Sequence, residues 1–266
     1  MTRPMTFGIL PGSPATKMLK NMLAGALFAG FAAGLVAVLL QFAFVNRLLL
    51  EAERYESGHV THFSAMPSGG GHDHAAAPAA QSAQTDGHDH ASHDHGAREG
   101  GIDLVRDGLS VVFSVFTYVG YGLILGALIV LARERGVPVK PGHGLLWGIA
   151  GFVTVQFAPA FGLAPELPGN AAADITLRQY WWFATVALTG FGLWQIAFGG
   201  SAARVLAGVV LIALPHLWGA PMPGEHWGSA PPELAALYAA RTLAVGLVAW
   251  VVLGLGSAYF HRQDAA

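Results

Sequence analysis

The chain has no cysteine in its 266 residues. This absence excludes a disulfide framework, a thiolate metal site and a thiol nucleophile, so any metal site must use nitrogen and oxygen ligands. Charged residues are also scarce, at 11% against 53% hydrophobic residues, and the mean hydropathy is +0.48. Because ordinary soluble domains are far more charged, this composition predicts an integral membrane protein.

Familiar enzyme motifs are missing too. The sequence contains no G-x-x-x-x-G-K-[ST] phosphate loop, no H-E-x-x-H zinc motif and no G-x-S-x-G nucleophile elbow. The formal net charge of -2 gives no basis for nucleic-acid binding. We therefore predict a protein that is not an enzyme, has no organic cofactor and binds no nucleic acid.

Long uncharged runs dominate the rest of the chain. They cover residues 21–46, 108–132, 141–165, 179–203, 205–224 and 242–260. Each is long enough to cross about 30 Å of hydrocarbon at about 1.5 Å per residue. Pro215 interrupts the fifth run, so 205–219 is either a kinked span or a re-entrant segment. We predict an all-α, polytopic transmembrane helical bundle with six spans, or five if 205–219 is re-entrant.

Basic residues set the predicted orientation. Lys17 and Lys20 precede the first run, and Arg133, Arg135 and Lys140 lie between the second and third. Because basic loops stay in the cytoplasm, these segments are predicted to be cytoplasmic in a bacterial inner membrane.

Three regions follow from this orientation. They are a cytoplasmic N-terminus with the first span (1–56), a non-cytoplasmic histidine-rich loop (57–107) and the remaining bundle (108–266).

The histidine-rich loop has the composition of a metal-binding segment. It contains three His-Asp-His units and eight histidines in all: His59, His62, His72, His74, His88, His90, His93 and His95. Imidazole and carboxylate suit cobalt, nickel, zinc and copper, so this ligand set leaves the metal open. With few large apolar side chains, residues 57–101 are predicted to be disordered without metal. The alternative is a solvated low-complexity linker without function.

Polar residues within or near the spans are candidates for an ion path, because they are costly at membrane depth. They are Gln41, Gln156, Glu166, Asp174, His216 and Glu233. We favour Glu166 and His216 as metal ligands, Glu166 because it lies between two prolines and His216 because it follows Pro215. The alternatives are that His216 is a structural group and that Asp174 pairs with Arg178.

Several segments, in their order along the chain, resemble the CbtA family of predicted cobalt transporter subunits. They include Glu51-Ala52-Glu53-Arg54-Tyr55-Glu56, Gln156-Phe157-Ala158-Pro159-Ala160-Phe161-Gly162-Leu163, Arg178-Gln179-Tyr180-Trp181-Trp182 and Pro215-His216-Leu217-Trp218-Gly219. The resemblance implies cobalt import for cobalamin synthesis, together with a small single-span companion subunit that has its own histidine motif.

The sequence thus predicts a bilayer-embedded transporter subunit for a divalent transition metal, cobalt by resemblance, with the loop capturing the ion. A membrane-anchored metal buffer or sensor that does not itself transport is the alternative. A metalloenzyme is less favoured, because a disordered loop cannot hold an open coordination site in fixed geometry.

Overall fold

A computed structural model of the protein describes residues 14–60, 104–138, 140–225 and 227–261, and these ranges contain helices and no strand. The helices are α1 (Pro14–Leu40), α2 (Asn46–Glu56), α3 (Leu104–Glu134), α4 (Gly144–Phe152), α5 (Ala158–Ala160), α6 (Ile175–Phe198), α7 (Ala202–Trp218) and α8 (Pro232–His261). Two π-helical segments join neighbouring helices: Gln41–Val45 links α1 to α2, and Val153–Phe157 links α4 to α5. The all-helical prediction is therefore confirmed for the described ranges, while most of the predicted disordered loop lies outside them.

The six uncharged runs all form apolar helices. Four helical stretches have the length and composition of a membrane span: Met22–Glu56, Asp107–Glu134, Ile175–Phe198 and Pro232–His261. Two shorter ones, Gly144–Ala160 and Ala202–Trp218, are each about 25 Å long at 1.5 Å per residue. This part of the protein is thus built for a membrane, with four helices of full span length.

The centre of the bundle is formed by α1, α3, α4 and α8, with α6 and α7 as a hairpin at its side. Small residues allow the central helices to approach closely. A Cβ on Gly34 would press on the backbone of Val115 in α3, and one on Gly148 would collide with the backbone of α8. These glycines act as packing positions, because a side chain there would separate the helix backbones.

One end of the bundle, which we call the acidic end, joins the end of α2 to two loops, 161–174 and 219–231. The loops are paired by a bridge between Asn170 and Gly228, and the backbone N–H of Ala171 donates to the carbonyl of Trp227 at 2.9 Å. An apolar cluster behind them is formed by Leu48, Ala52, Leu167, Ala230 and Leu234. Of the acidic residues in the described ranges, all except Glu134 lie at this end: Glu51, Glu53, Glu56, Asp107, Glu166, Asp174, Glu225 and Glu233.

The opposite end, the basic end, is joined through arginines. Arg133 donates from its guanidinium to the carbonyl of His261 at 3.0 Å, which links α3 to the end of α8. Arg135 lies over the ring of Trp194, 5.3 Å from its centre, a cation–π contact that ties α3 to α6. Acidic side chains therefore segregate along the bundle axis, whereas arginines such as Arg54 and Arg178 also occur at the acidic end.

Two local contacts fix the ends of the helices. Trp181 is buried, and its indole N–H donates to the carbonyl of Pro215 at 3.2 Å. It therefore ties α6 to α7 within the protein. Helix α2 ends at Glu56, where the backbone N–H of Ser57 donates to the carbonyl of Glu53 at 2.9 Å, and His59 follows in an exposed turn.

Candidate functional site

A cleft of about 480 Å³, which we call the mouth cleft, opens at the acidic end between α5, α6 and α8. Its lining is mostly apolar, and its charged side chains are Glu166 and Arg178. Glu166 lies on the loop between α5 and α6, where prolines at 165 and 168 hold the backbone out of helical conformation. This confirms an irregular backbone around Glu166 and places its carboxylate at the entrance to a cavity.

Glu166 is paired with Arg178, whose guanidinium nitrogen is 2.9 Å from the carboxylate oxygen. The predicted pair between Asp174 and Arg178 is wrong. Asp174 instead caps α6, because its side chain accepts from the backbone N–H groups of Thr176 at 2.9 Å and Leu177 at 3.1 Å. The two side chains of the ion pair remain 25% and 36% exposed, and pairs this exposed contribute about 1 kcal/mol or less. A cation can therefore compete with Arg178 for Glu166.

A second cavity of about 160 Å³, which we call the junction cavity, lies among α1, α3, the second π-helical segment and α8. Its polar lining residues are Gln41, Ser114, Tyr118, Gln156 and Thr242. Thr242 is the eleventh residue of α8, roughly 15 Å along the helix from the acidic end. The junction cavity thus brings five polar side chains together between apolar helices, with the exposed Gln41 at its edge.

Gln156 and Thr242 line both cavities. Their side chains therefore stand between the mouth cleft and the junction cavity. Gln156 shares the junction cavity with Tyr118 of α3. A route from the acidic end into the bundle must pass these two residues.

The core on the basic-end side of the junction cavity is closely packed. Tyr121 stacks on Trp250 with ring centres 4.9 Å apart, and both lie with Phe152 and Leu253 in the main apolar core. A Cβ on Gly151 would collide with the ring of Trp250. In this conformation the two cavities lead from the acidic end toward a closed core.

The predicted ligands are not gathered into one site. His216 lies between aromatic rings, with its ring centre 5.9 Å from that of Phe161 and 6.0 Å from that of Trp181, and it lines neither cavity. His59 is exposed, with Nδ1 2.7 Å from the hydroxyl of Ser57. The other seven loop histidines lie outside the described residues. Within the described ranges no three His, Asp or Glu side chains come close enough to hold a metal together.

Sequence reasoning singled out Gln41 and Gln156 but missed Ser114, Tyr118 and Thr242, which share their cavity. Each is a polar residue within a long apolar run, and such residues are costly at membrane depth without a partner. Their polar character could therefore have identified these three side chains as candidates. Their convergence on one cavity could not be predicted from the sequence, because it depends on how α3 and α8 are rotated against each other.

An apolar helical bundle with a charged mouth and a polar cavity inside defines a polytopic membrane protein, and such internal cavities are typical of transport proteins. The chain belongs to the CbtA family, described as "Probable cobalt transporter subunit (CbtA)", which matches residues 19–262. Comparison with curated proteins and with solved structures found no match.

Proposed function

We propose that this protein is the bundle subunit of an importer that carries cobalt across the bacterial inner membrane for cobalamin synthesis. The family match supports cobalt transport as the activity, and the word subunit in its description implies a partner. A small single-span companion is the partner that we propose. The family description offers no support for the buffer or sensor alternative.

The observation that carries the proposal is the pair of adjoining cavities that lead from the acidic end into the bundle. A carboxylate stands at the entrance and neutral oxygens stand further in. An entrance surrounded by acidic residues raises the local concentration of cations, and a polar interior lowers the cost of moving an ion through apolar helices. A protein that only held a partner in the membrane would need neither feature.

The described start of the histidine-rich loop lies at the same end. It follows α2 directly after Glu56, whose side chain lies beside Gly169 in the loop that carries Glu166. We propose that the eight loop histidines capture the ion and deliver it to Glu166 in the mouth cleft. His216, which lines neither cavity, is the weaker of the two proposed ligands in the bundle.

The direct test is cobalt uptake into sealed liposomes that contain the purified protein, with and without the companion subunit. We expect uptake to exceed that of empty liposomes and to be greatest with both subunits present. Liposomes containing the companion alone are the control for leakage. Cobalt bound to the protein without accumulation inside the vesicles would contradict the transport function.

We further propose that the acidic end faces outward and that all six apolar helices cross the membrane. The basic end carries Arg133, Arg135, Lys140 and Arg204, as expected for a cytoplasmic side. Helix α7 is unbroken through Pro215 and packs along α6, so it extends between the two ends of the bundle.

Cysteine labelling, measured on the protein purified after the reaction, tests this topology, because the natural chain has no cysteine of its own to react. Single cysteines at Gly136, Ser201 and Gly224 occupy exposed positions, the first two at the basic end and the third at the acidic end. With an impermeant maleimide added outside whole cells, we expect only the Gly224→Cys protein to react. Labelling of Ser201→Cys and Gly224→Cys from the same side would show that α7 is re-entrant. Labelling of Gly136→Cys and Ser201→Cys, but not of Gly224→Cys, would show that the orientation is reversed.

A further inference from the structure

Two buried oxygens between the cavities have no partner. Oε1 of Gln156 and Oγ1 of Thr242 are inaccessible to solvent and hydrogen-bonded to no described residue. An unmet hydrogen bond costs about 1–3 kcal/mol inside a protein, so atoms like these are normally satisfied by water or an ion. Both oxygens stand where an ion would pass from the mouth cleft to the junction cavity.

The two glutamines of the junction cavity lie on the two π-helical segments. Gln41 begins the first segment and Gln156 lies in the second, and each segment is closed by a backbone hydrogen bond spanning five residues, such as that from Asn46 to the carbonyl of Gln41. A π-helical turn adds a residue to the helix and changes the direction of the side chains beyond it, and such turns are common at functional sites. Two helices thus show the same uncommon feature where each presents an amide to one cavity.

Gly246 in α8 makes room for the Gln156 amide. A Cβ at position 246 would collide with Oε1 of Gln156, the far end of a flexible side chain. Alanine at this position is therefore compatible with the helix but would move the amide. The close approach of the amide to position 246 depends on glycine having no side chain there.

The size and chemistry of the junction cavity suit a partly hydrated cation. Its volume of about 160 Å³ equals the share of roughly five water molecules in the liquid. Amide and hydroxyl oxygens are neutral, hard ligands that bind divalent ions less strongly than imidazole or thiolate groups. Weak binding is what a transport route needs, because the ion must leave as readily as it enters.

We infer that Gln156 and Thr242, with Gln41 across the junction cavity, form a transient binding site for a divalent cation that retains part of its water shell. This inference rests on the proposed transport function and adds to it the place where the ion crosses the middle of the bundle. Because the ligands are neutral oxygens, this site contributes little to the choice among divalent metals. Selection belongs to the nitrogen ligands of the loop or of a partner.

The test uses the full chain with His→Asn substitutions at the eight loop positions, so that loop binding does not mask a weaker site. Two substitutions are then introduced separately into this protein. Gln156→Leu removes the amide, and Gly246→Ala displaces it. Gly120→Ala is the matched control, because Gly120 lies in α3 with open space where its Cβ would be. For each variant we measure cobalt bound per purified protein by equilibrium dialysis and maximal cobalt uptake into liposomes with the companion subunit. Thermal melting verifies that all variants are folded.

We expect Gln156→Leu to lower maximal uptake at least tenfold and Gly246→Ala severalfold, with loss of bound cobalt in both, while Gly120→Ala changes neither quantity. If the parent protein transports cobalt and neither variant changes uptake or binding, the junction site is wrong and the transport function stands. If the parent protein binds cobalt without transporting it, and both variants bind less cobalt, the site stands and the transport function is wrong. If the parent neither transports nor binds cobalt, both are wrong.

Discussion

Replacing Glu166 with alanine is expected to lower cobalt uptake about tenfold even at saturating metal. Tenfold corresponds to about 1.4 kcal/mol, which is modest for the loss of a charged ligand. The carboxylate lines the mouth cleft and is the acidic group there. If the ion binds this carboxylate during transport, a higher cobalt concentration outside cannot compensate for its loss. The maximal rate of uptake then falls along with the apparent affinity for cobalt.

The ion pair with Arg178 requires a further variant, because Glu166→Ala also leaves a guanidinium unpaired at the cleft. That positive charge could by itself repel cations. The double variant Glu166→Ala with Arg178→Ala separates the two causes. If Glu166 supplies a ligand, uptake stays low in the double variant. If uptake returns to the native level, Glu166 serves only to neutralise Arg178.

Glu233→Gln is the matched control for net charge. Glu233 lies at the same end, in the first turn of α8, but does not line the mouth cleft. We expect it to retain nearly native uptake, measured in membranes that contain equal amounts of each folded variant.

The His216→Ala variant tests the second proposed ligand in the bundle. Because His216 packs between Phe161 and Trp181, we expect this substitution to lower thermal stability more than it lowers uptake.

Deleting the three His-Asp-His units is expected to lower uptake at low cobalt concentration but not at saturating cobalt, in contrast to Glu166→Ala. Uptake at scarce cobalt should fall roughly tenfold or more, because a tethered set of ligands raises the effective concentration of the ion at the entrance. Substantial uptake should remain when cobalt is plentiful, because the deletion leaves the cavities intact. The measurement is uptake across a wide range of cobalt concentrations.

His→Asn substitutions at the six histidines of these units are the control for loop length, since they keep the aspartates and the number of residues. This variant should behave like the deletion. Loss of uptake at every concentration, together with normal transport by Glu166→Ala, would show that the loop itself is the essential element and that the division between capture and passage is wrong.

Much of the fold could be predicted from the sequence, because transfer of apolar side chains from water to lipid depends on composition and run length alone. The six uncharged runs all form helices. The pairing of Arg178 was predicted wrongly. Sequence spacing favoured Asp174, four residues away, whereas the fold brings Glu166 to Arg178 from the preceding loop and uses Asp174 as a helix cap.

The sequence by itself determined that this is a helical membrane protein with nitrogen and oxygen ligands and with most of its acidic residues near the histidine-rich loop. These properties follow from the chemistry of individual residues and their order. Only the tertiary structure decided that His216 lies between aromatic rings, that Glu166 opens onto a cleft, and that Gln156 and Thr242 stand between two cavities. The physical reason is that side chains meet across helices only after packing has set the rotation and depth of each helix. Small residues such as Gly148 and Gly246 control that packing through close contacts with distant parts of the chain, which no local pattern contains.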